Sequence, residues 1–419
     1  MRFSVRMRLL IILGGAVPMA FLASRLASHD ARARAAVQPA ENTVVATLPF
    51  EYFRKHILVA MRIDNSTLRA CMVDNGFNAD IITESVARAI GLPFHALGGK
   101  NPNAEGFGEG SAPTSFLVEK TVTLGIKDFP ILTGQTYVLD MAGFEDGMGV
   151  HFDCVLGLPL FAQYVVEIDY TKRLITLYDP RSFQYRGSGR AVPLQVAVPP
   201  TMEVGMVTPD GRTVKAVVAL DLGSDAILDF QPSFQSKHHI MQEGQAQVPI
   251  DEIGLSGEFH MSIVRLPSVE FAGYKLDKPL VAFMHTAPGP SLSANDGFVG
   301  NALLHRFTVI FDYSRESVIF EPNSSFGDPF KGNMTGIKVD PESDVARGFE
   351  VVYVEERSPG AKAGVRSGDR IVQINGVLCS TLLFEPFREM FTAEGAPFVL
   401  KIQRGEQKID VEFQTPRLP

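Results

Sequence analysis

The chain has 419 residues, of which 45% are hydrophobic and 21% are charged, so it is long enough for two or three domains with buried cores. Its 47 acidic and 39 basic residues give a net charge of −8, which argues against a nucleic-acid-binding protein. Its three cysteines are too few for a disulfide framework and lack the spacing of zinc ligands. The histidines form no metal-binding motif either, so we expect no metal and no other cofactor.

The first 36 residues have the features of a secretory signal peptide. The N-terminal region is positively charged through Arg2, Arg6 and Arg8, and it is followed by the uncharged residues 9–24. The small residues in 31–36 then offer cleavage sites for a signal peptidase. The alternative is an uncleaved segment that anchors the chain to a membrane. In both cases the sequence predicts an exported protein, periplasmic or secreted.

The middle of the chain contains an internal repeat. Residues 57–76 and 202–224 each consist of two apolar runs around a polar turn, and each ends in Asp-x-Gly. This pattern predicts a β-hairpin that leads into a strand ending at Asp74 in the first copy and at Asp221 in the second.

A second pair of matching segments follows in the same order. Residues 155–170 and 298–313 each begin with an apolar strand that enters a glycine, continue through a short helical turn, and finish with a strand ending in Asp-Tyr. Two pairs at nearly equal offsets predict two copies of one mainly β lobe, residues 45–180 and 190–322. The polar segment 181–190 is the expected linker.

The two Asp-x-Gly segments have different local interpretations. Asp74-Asn75-Gly76 alone is typical of a structural turn, because Asn-Gly is a strong turn dipeptide. Asp221 instead follows a long apolar run, where an unpaired carboxylate would be costly. If two related lobes bring Asp74 and Asp221 together, the pair shares one proton and can activate water against a peptide carbonyl.

The predicted lobes resemble the lobes of retropepsin-type aspartic proteases, fused in tandem as in the bacterial aspartyl protease families. The family motif of two hydrophobic residues, Asp, Thr or Ser, and Gly is matched in part by residues 72–76 and 219–223. A later hydrophobic-hydrophobic-Gly strand is matched by residues 155–157 and 298–300. The resemblance implies a peptide or protein substrate and catalytic roles for Asp74 and Asp221. It assigns support of the dyad loops to four neighbours: Asn75, Gly76, Leu222 and Gly223.

The motifs also depart from the family pattern. Asn75 can still form hydrogen bonds in place of the usual Thr or Ser, whereas the Leu222 side chain cannot. Two hypotheses therefore stand: an aspartic-type endopeptidase, or a catalytically inactive descendant that binds peptides or acts as a scaffold.

Three further features of the lobes have two interpretations each. The glycine-containing segments 104–110 and 253–257 are expected either to be flaps over a peptide or to be ordinary hairpin tips. Cys71 and Cys154 are expected on neighbouring strands, as a disulfide or as two buried thiols.

The C-terminal part, residues 331–416, resembles a PDZ domain of the bacterial, protease-associated type. The motif in residues 358–376, Ser-Pro followed by Ala-Gly, Gly-Asp and Ile-Asn-Gly, is quite specific. The resemblance implies that backbone N–H groups of Thr335, Gly336 and Ile337 hold the terminal carboxylate of a peptide ligand. Phe384, Phe387 and Phe391 lie on a predicted helix, either in the core or along the ligand groove. The predicted fold class is thus mainly β, with two tandem retropepsin-like lobes and a PDZ domain.

Overall fold

The computed structural model describes residues 42–97, 113–126, 129–132, 136–242, 244–286, 294–340 and 343–418. The predicted signal peptide (1–36) and the first predicted flap (104–110) lie outside these residues. Within them the chain is mainly β-strand, with only short helices. The helices in this part of the chain are too short or too polar to cross a membrane.

The first lobe is defined here by its strands and helices. Its strands are β1 (Val44–Phe53), β2 (His56–Ile63), β3 (Leu68–Val73), β4 (Asp80–Thr83), β5 (Phe94–Ala96), β6 (Ser115–Val118), β7 (Thr123–Ile126), β8 (Phe129–Leu132), β9 (Thr136–Leu139), β10 (Cys154–Leu156), β11 (Val165–Asp169) and β12 (Leu174–Tyr178). Its helices are α1 (Glu84–Ala89), α2 (Ala142–Met148) and α3 (Leu158–Gln163).

The second lobe also consists of twelve strands and a few short helices within the described residues. Its strands are β13 (Arg190–Pro193), β14 (Thr201–Val207), β15 (Thr213–Leu220), β16 (Asp229–Phe230), β17 (Val248–Gly254), β18 (Gly257–Arg265), β19 (Ser268–Phe271), β20 (Tyr274–Asp277), β21 (Leu280–Met284), β22 (Gly297–Val299), β23 (Phe307–Asp312) and β24 (Ser317–Pro322). Its helices are α4 (Pro232–His238) and α5 (Asn301–Leu304).

The C-terminal domain forms a separate sheet. Its strands are β25 (Ile337–Val339), β26 (Phe349–Val354), β27 (Arg370–Ile374), β28 (Val377–Leu378), β29 (Pro397–Arg404) and β30 (Gln407–Gln414), and its helices are α6 (Pro359–Lys362) and α7 (Phe384–Met390).

Side-chain alternation along the strands accounts for the sheets. In β14, Met202, Val204 and Met206 are buried, and the residues between them point away from the core. This period of two is what a half-buried strand requires. A single apolar cluster extends from β2 of the first lobe to β24 of the second, so the two lobes share one core.

The two lobes repeat one strand pairing. In the first, β10 lies between β3 and β4, parallel to β3 and antiparallel to β4. In the second, β22 lies in the same way between β15 and β16. The repeat in strand order thus accompanies the repeat in the sequence. The proposed domain boundaries themselves stay predictions.

The strands that end in Asp-Tyr join the lobes. β11 and β23 pair antiparallel, with Val166 opposite Phe311 and Ile168 opposite Val309. The pairing links the two lobes through the equivalent strand of each.

Cys71 and Cys154 lie directly opposite each other on the parallel strands β3 and β10. The structure joins them as a disulfide, with Cα atoms 4.5 Å apart, which selects the first of the two interpretations. Cys379 is a free, buried thiol in the C-terminal domain.

The C-terminal domain has its own apolar core. Phe387 and Phe391 are almost completely buried in it, and Phe384 packs at its edge. The core interpretation of the phenylalanine stripe therefore holds for Phe387 and Phe391. β25 forms one edge of the sheet, paired on one side only with β26.

Candidate functional site

The two Asp-x-Gly segments meet where the lobes join. The backbone N–H of Asp74 donates to the carbonyl of Leu156, at 3.0 Å, and that of Asp221 donates to the carbonyl of Val299, at 2.9 Å. In each lobe the aspartate is therefore held by the strand that carries the second motif. The same main-chain bond is thus made once in each lobe, and the two Asp-x-Gly loops contact each other where the lobes join.

The carboxylates of Asp74 and Asp221 share a hydrogen bond. Each also accepts from the glycine of its own loop: Gly76 N–H lies 2.8 Å from Asp74 Oδ1, and Gly223 N–H lies 2.9 Å from Asp221 Oδ1. Asp74 is 7% exposed, whereas Asp221 is partly open to solvent. The turn interpretation of Asp74 is therefore incomplete, because its side chain faces the opposite lobe.

Burial and proximity change the proton affinity of both groups. Burial, followed by the charge of Asp221, raises the pKa of Asp74 well above its ordinary range. Burial also raises the pKa of Asp221. Two carboxylates in contact cannot both ionise easily, so the pair retains one proton over a wide pH range. One carboxyl group can then donate a proton while the other accepts one.

The glycines leave room for this arrangement. A Cβ atom on Gly223 would overlap the Asp74 carboxylate. One on Gly76 would lie 2.9 Å from Asp74 Oδ1 and 3.3 Å from Asp221 Oδ1. Gly76 and Gly223 are thus required for the close approach of the two loops.

Asn75 ties the loops together beneath the carboxylates. It is completely buried, and its Oδ1 accepts from the backbone N–H of Leu222 at 2.9 Å. The Leu222 carbonyl in turn accepts from Asn301 Nδ2 at 2.6 Å. Leu222 therefore takes part through its main chain, while its apolar side chain packs in the core.

Two tyrosines complete this support, and the motif comparison did not identify them. Tyr313 Oη lies 3.4 Å from Asn75 Nδ2, and Tyr170 Oη donates to Asn301 Oδ1 at 2.7 Å. Each tyrosine thus reaches an asparagine of the opposite lobe. The signal that could have found them was the Asp-Tyr ending of both repeats. Asn301, next to Gly300, had no such signal.

Asp80 is a second buried carboxylate near the site. Its Oδ1 accepts from Gly157 N–H at 2.9 Å, and its Oδ2 is buried without a hydrogen-bond partner among the described residues. Burial raises the pKa of Asp80 to about 6. The ionised form is therefore disfavoured in the folded state.

Asp80→Asn is expected to stabilise the protein at neutral pH. Because the folded state holds its proton more tightly than the unfolded chain, wild-type stability should fall as pH rises from about 4 to about 6. Each pH unit between the ordinary pKa of aspartate and the raised pKa of Asp80 in the folded state is worth about 1.4 kcal/mol. The free energy of unfolding should therefore fall by roughly 3 kcal/mol. Urea unfolding of wild type and variant at pH 4 and pH 7 measures this change in the free energy of unfolding. Asp277→Asn, at an exposed position, is the matched control and should leave the pH dependence unchanged. Equal pH dependence in wild type and Asp80→Asn would contradict the assignment.

The second predicted flap is the turn between β17 and β18. Its tip residue Leu255 packs against an apolar cluster of the first lobe that includes Met72 and Phe77. The hairpin therefore bridges the two lobes beside the Asp pair.

A second contact between the lobes lies nearby. Asp225 is exposed, and its Oδ2 lies 3.9 Å from Lys55 Nζ of the β1–β2 turn.

The predicted carboxylate-binding loop of the C-terminal domain is stabilised by hydrogen bonds between its own residues. Asn333 Oδ1 accepts from the N–H groups of Thr335, at 2.9 Å, and Gly336, at 3.2 Å. The N–H of Ile337 donates to Thr335 Oγ1 at 3.2 Å. The N–H groups of Thr335, Gly336 and Ile337 are thus bonded within the loop, and their role in holding a peptide carboxylate stays a prediction.

The C-terminal domain is docked on the second lobe. Lys338 of β25 donates to the carbonyl of Asp251 and pairs with Glu252 at 3.1 Å. Met334 and Leu418 are buried in the core that the lobes share. The sheet edge that would receive a peptide therefore lies beside the β17–β18 hairpin.

Comparison with known proteins identifies one part of the chain. Residues 350–404 match the family model of the PDZ domain. No curated protein matches the chain. The match lies inside the predicted range 331–416 and covers β27, β28, β29, α6 and α7, together with most of β26. The chain thus contains a PDZ domain, a module that recognises peptides, and a peptide or protein is its expected partner.

Proposed function

We propose that the protein is an exported aspartic-type endopeptidase in which Asp74 and Asp221 activate a water molecule. The observation that carries the proposal is the contact between the two carboxylates, each also bound by the glycine of its own loop. One carboxylate takes a proton from the water as it attacks the peptide carbonyl. The other donates its proton to the carbonyl oxygen, and then the amine leaves as it gains a proton.

Preorganisation supports the same conclusion. The N–H groups of Gly76 and Gly223 fix the two carboxyl groups, and the Asn75 bridge fixes the two loops relative to each other. Such fixed donors need no rearrangement during the reaction. No metal and no cofactor take part in these steps.

The PDZ domain extends the proposal to substrate recognition. A peptide added to the free edge of β25 would lie near the β17–β18 hairpin, because Lys338 joins these two elements. The domain would therefore recruit protein substrates or regulate access to the Asp pair.

A second candidate is a catalytically inactive peptide-binding or scaffold protein. Asn75 and Leu222, which replace the residues usual in the family, favour it. In that case the wild type binds peptides without cleaving them, and the double variant Asn75→Thr/Leu222→Thr gains cleavage. An active wild type makes this second candidate wrong.

Binding of pepstatin, a peptide inhibitor of aspartic peptidases, tests the proposed site. At a concentration 100 times its Kd the inhibitor should stabilise the protein by about 2.7 kcal/mol, seen as a higher Tm. The shift should disappear in Asp221→Asn and persist in Asp277→Asn. A folded wild type with no shift at saturating inhibitor would count against the proposal.

Asn333→Ala is expected to open the carboxylate site of the PDZ domain. The substitution removes an internal acceptor that bonds two backbone donors, so a peptide carboxylate no longer has to displace it. At about 1 kcal/mol for each of the two bonds, affinity should rise roughly thirtyfold. Fluorescence anisotropy with a labelled peptide that ends in an apolar residue measures it. The same peptide with an amidated end is the control, and equal gains for both peptides would disprove carboxylate recognition.

A further inference from the structure

Three metal-ligand residue types meet between the second lobe and the PDZ domain. Asp251 of β17 lies directly opposite His260 of β18 in the antiparallel register, and His260 Nδ1 is hydrogen-bonded to Asp251 Oδ1. Glu355, which follows β26, completes the group. One ligand atom of each residue lies within 4.8 Å of the other two.

Neighbouring side chains orient the two carboxylates. The Tyr353 hydroxyl donates to Asp251 Oδ2, and Arg357 Nε donates to Glu355 Oε1 at 2.9 Å. One oxygen of each carboxylate is thereby fixed from outside the cluster. In protein metal sites, hydrogen bonds of this kind orient the side chains that coordinate the metal.

The two carboxylates of the cluster are shielded from solvent. Asp251 and Glu355 are 5% and 3% exposed, and their ligand oxygens lie within 4.8 Å of each other. Arg357 pairs with Glu355 from outside the cluster, at 2.9 Å. A divalent cation between the two carboxylates would offset the charge that remains, because buried charges are costly unless they are paired.

We propose that Asp251, His260 and Glu355 form a Zn²⁺ site that fastens the PDZ domain to the second lobe. Zn²⁺ suits one imidazole and two carboxylates, with a water as fourth ligand, whereas Mg²⁺ and Ca²⁺ prefer oxygen ligands alone. The two carboxylates also balance its charge. The sequence lacks a metal motif because the ligands come from two strands of the second lobe and from the segment after β26 of the C-terminal domain.

Calorimetric titration of the metal-free full chain with ZnCl₂ at pH 7 tests the site. The wild type should bind one equivalent, and its Tm should rise by several degrees. His260→Ala, at a half-exposed position, should fold normally and bind Zn²⁺ at least tenfold more weakly. Glu355→Gln should weaken binding similarly. His95→Ala, the same substitution at an exposed histidine outside the cluster, should bind as the wild type does.

Three results would overturn the proposal. They are the absence of stoichiometric binding by the wild type, equal affinity in wild type and His260→Ala, and equal affinity of the wild type for Zn²⁺ and Ca²⁺. None of these results depends on peptidase activity, so the site and the proposed function are tested separately.

Discussion

Asp221→Asn is expected to reduce the kcat for peptide cleavage roughly a thousandfold or more, because it leaves the pair without the group that exchanges protons with water. Asp74→Asn should have the same effect, since neither carboxylate can act alone. The measurement is the rate of cleavage of an unstructured protein such as casein at the pH of maximal activity. Asp277→Asn, at an exposed aspartate whose Oδ1 pairs with Lys275 at 2.7 Å, is the matched control and should retain full activity.

The same variants should be more stable than the wild type at neutral pH. The pKa of Asp74 is raised in the folded state, so the wild type loses stability as pH rises above the unfolded value. Asn cannot ionise, so the variants do not lose stability in this way as pH rises. Lower stability together with lower activity would instead indicate that the variant has damaged the fold, and full activity in both single variants would make the dyad assignment wrong.

Asn75→Ala is expected to have the second largest effect. It removes the acceptor for the buried N–H of Leu222, which costs about 1–3 kcal/mol of stability. The loops beneath the carboxylates then lose their direct link, and a small displacement of reacting groups lowers kcat by roughly a hundredfold. Urea unfolding and casein cleavage measure the two effects.

Asn75→Thr separates these causes. Thr keeps a side-chain oxygen at this position, so the variant should recover most of the activity that Asn75→Ala loses. If Asn75→Ala cleaves as fast as the wild type, the bridge to Leu222 plays no part in positioning the pair.

The repeat explains how much of the site was predictable. The spacing of Asp74 and Asp221, and the glycine-ended strands that follow them, predict two matching lobes, and the structure brings both carboxylates together. The match of strand order in β3, β10 and β4 with β15, β22 and β16 follows from the same apolar runs. Periodicity alone specifies such elements because it reflects which face of a strand is buried.

Other features depended on tertiary contacts that sequence patterns do not encode. Asn301 supports the loops from a helix start, and Leu222 contributes only its main chain, so residue type gave no guide to either role. The Asn333 side chain bonds the main chain of the loop before β25, through contacts that any Asn near a turn can form. The cluster of Asp251, His260 and Glu355 exists only because the PDZ domain is docked on the second lobe.

Cleavage of casein by the purified protein between pH 3 and pH 8, measured alongside Asp221→Asn, tests whether Asp74 and Asp221 form a catalytic pair. We expect a bell-shaped pH profile, since one proton on the pair is required, and no cleavage by the variant or in the presence of pepstatin. A folded wild type that cleaves nothing at any pH would show that the pair is not catalytic, as would cleavage that Asp221→Asn leaves intact.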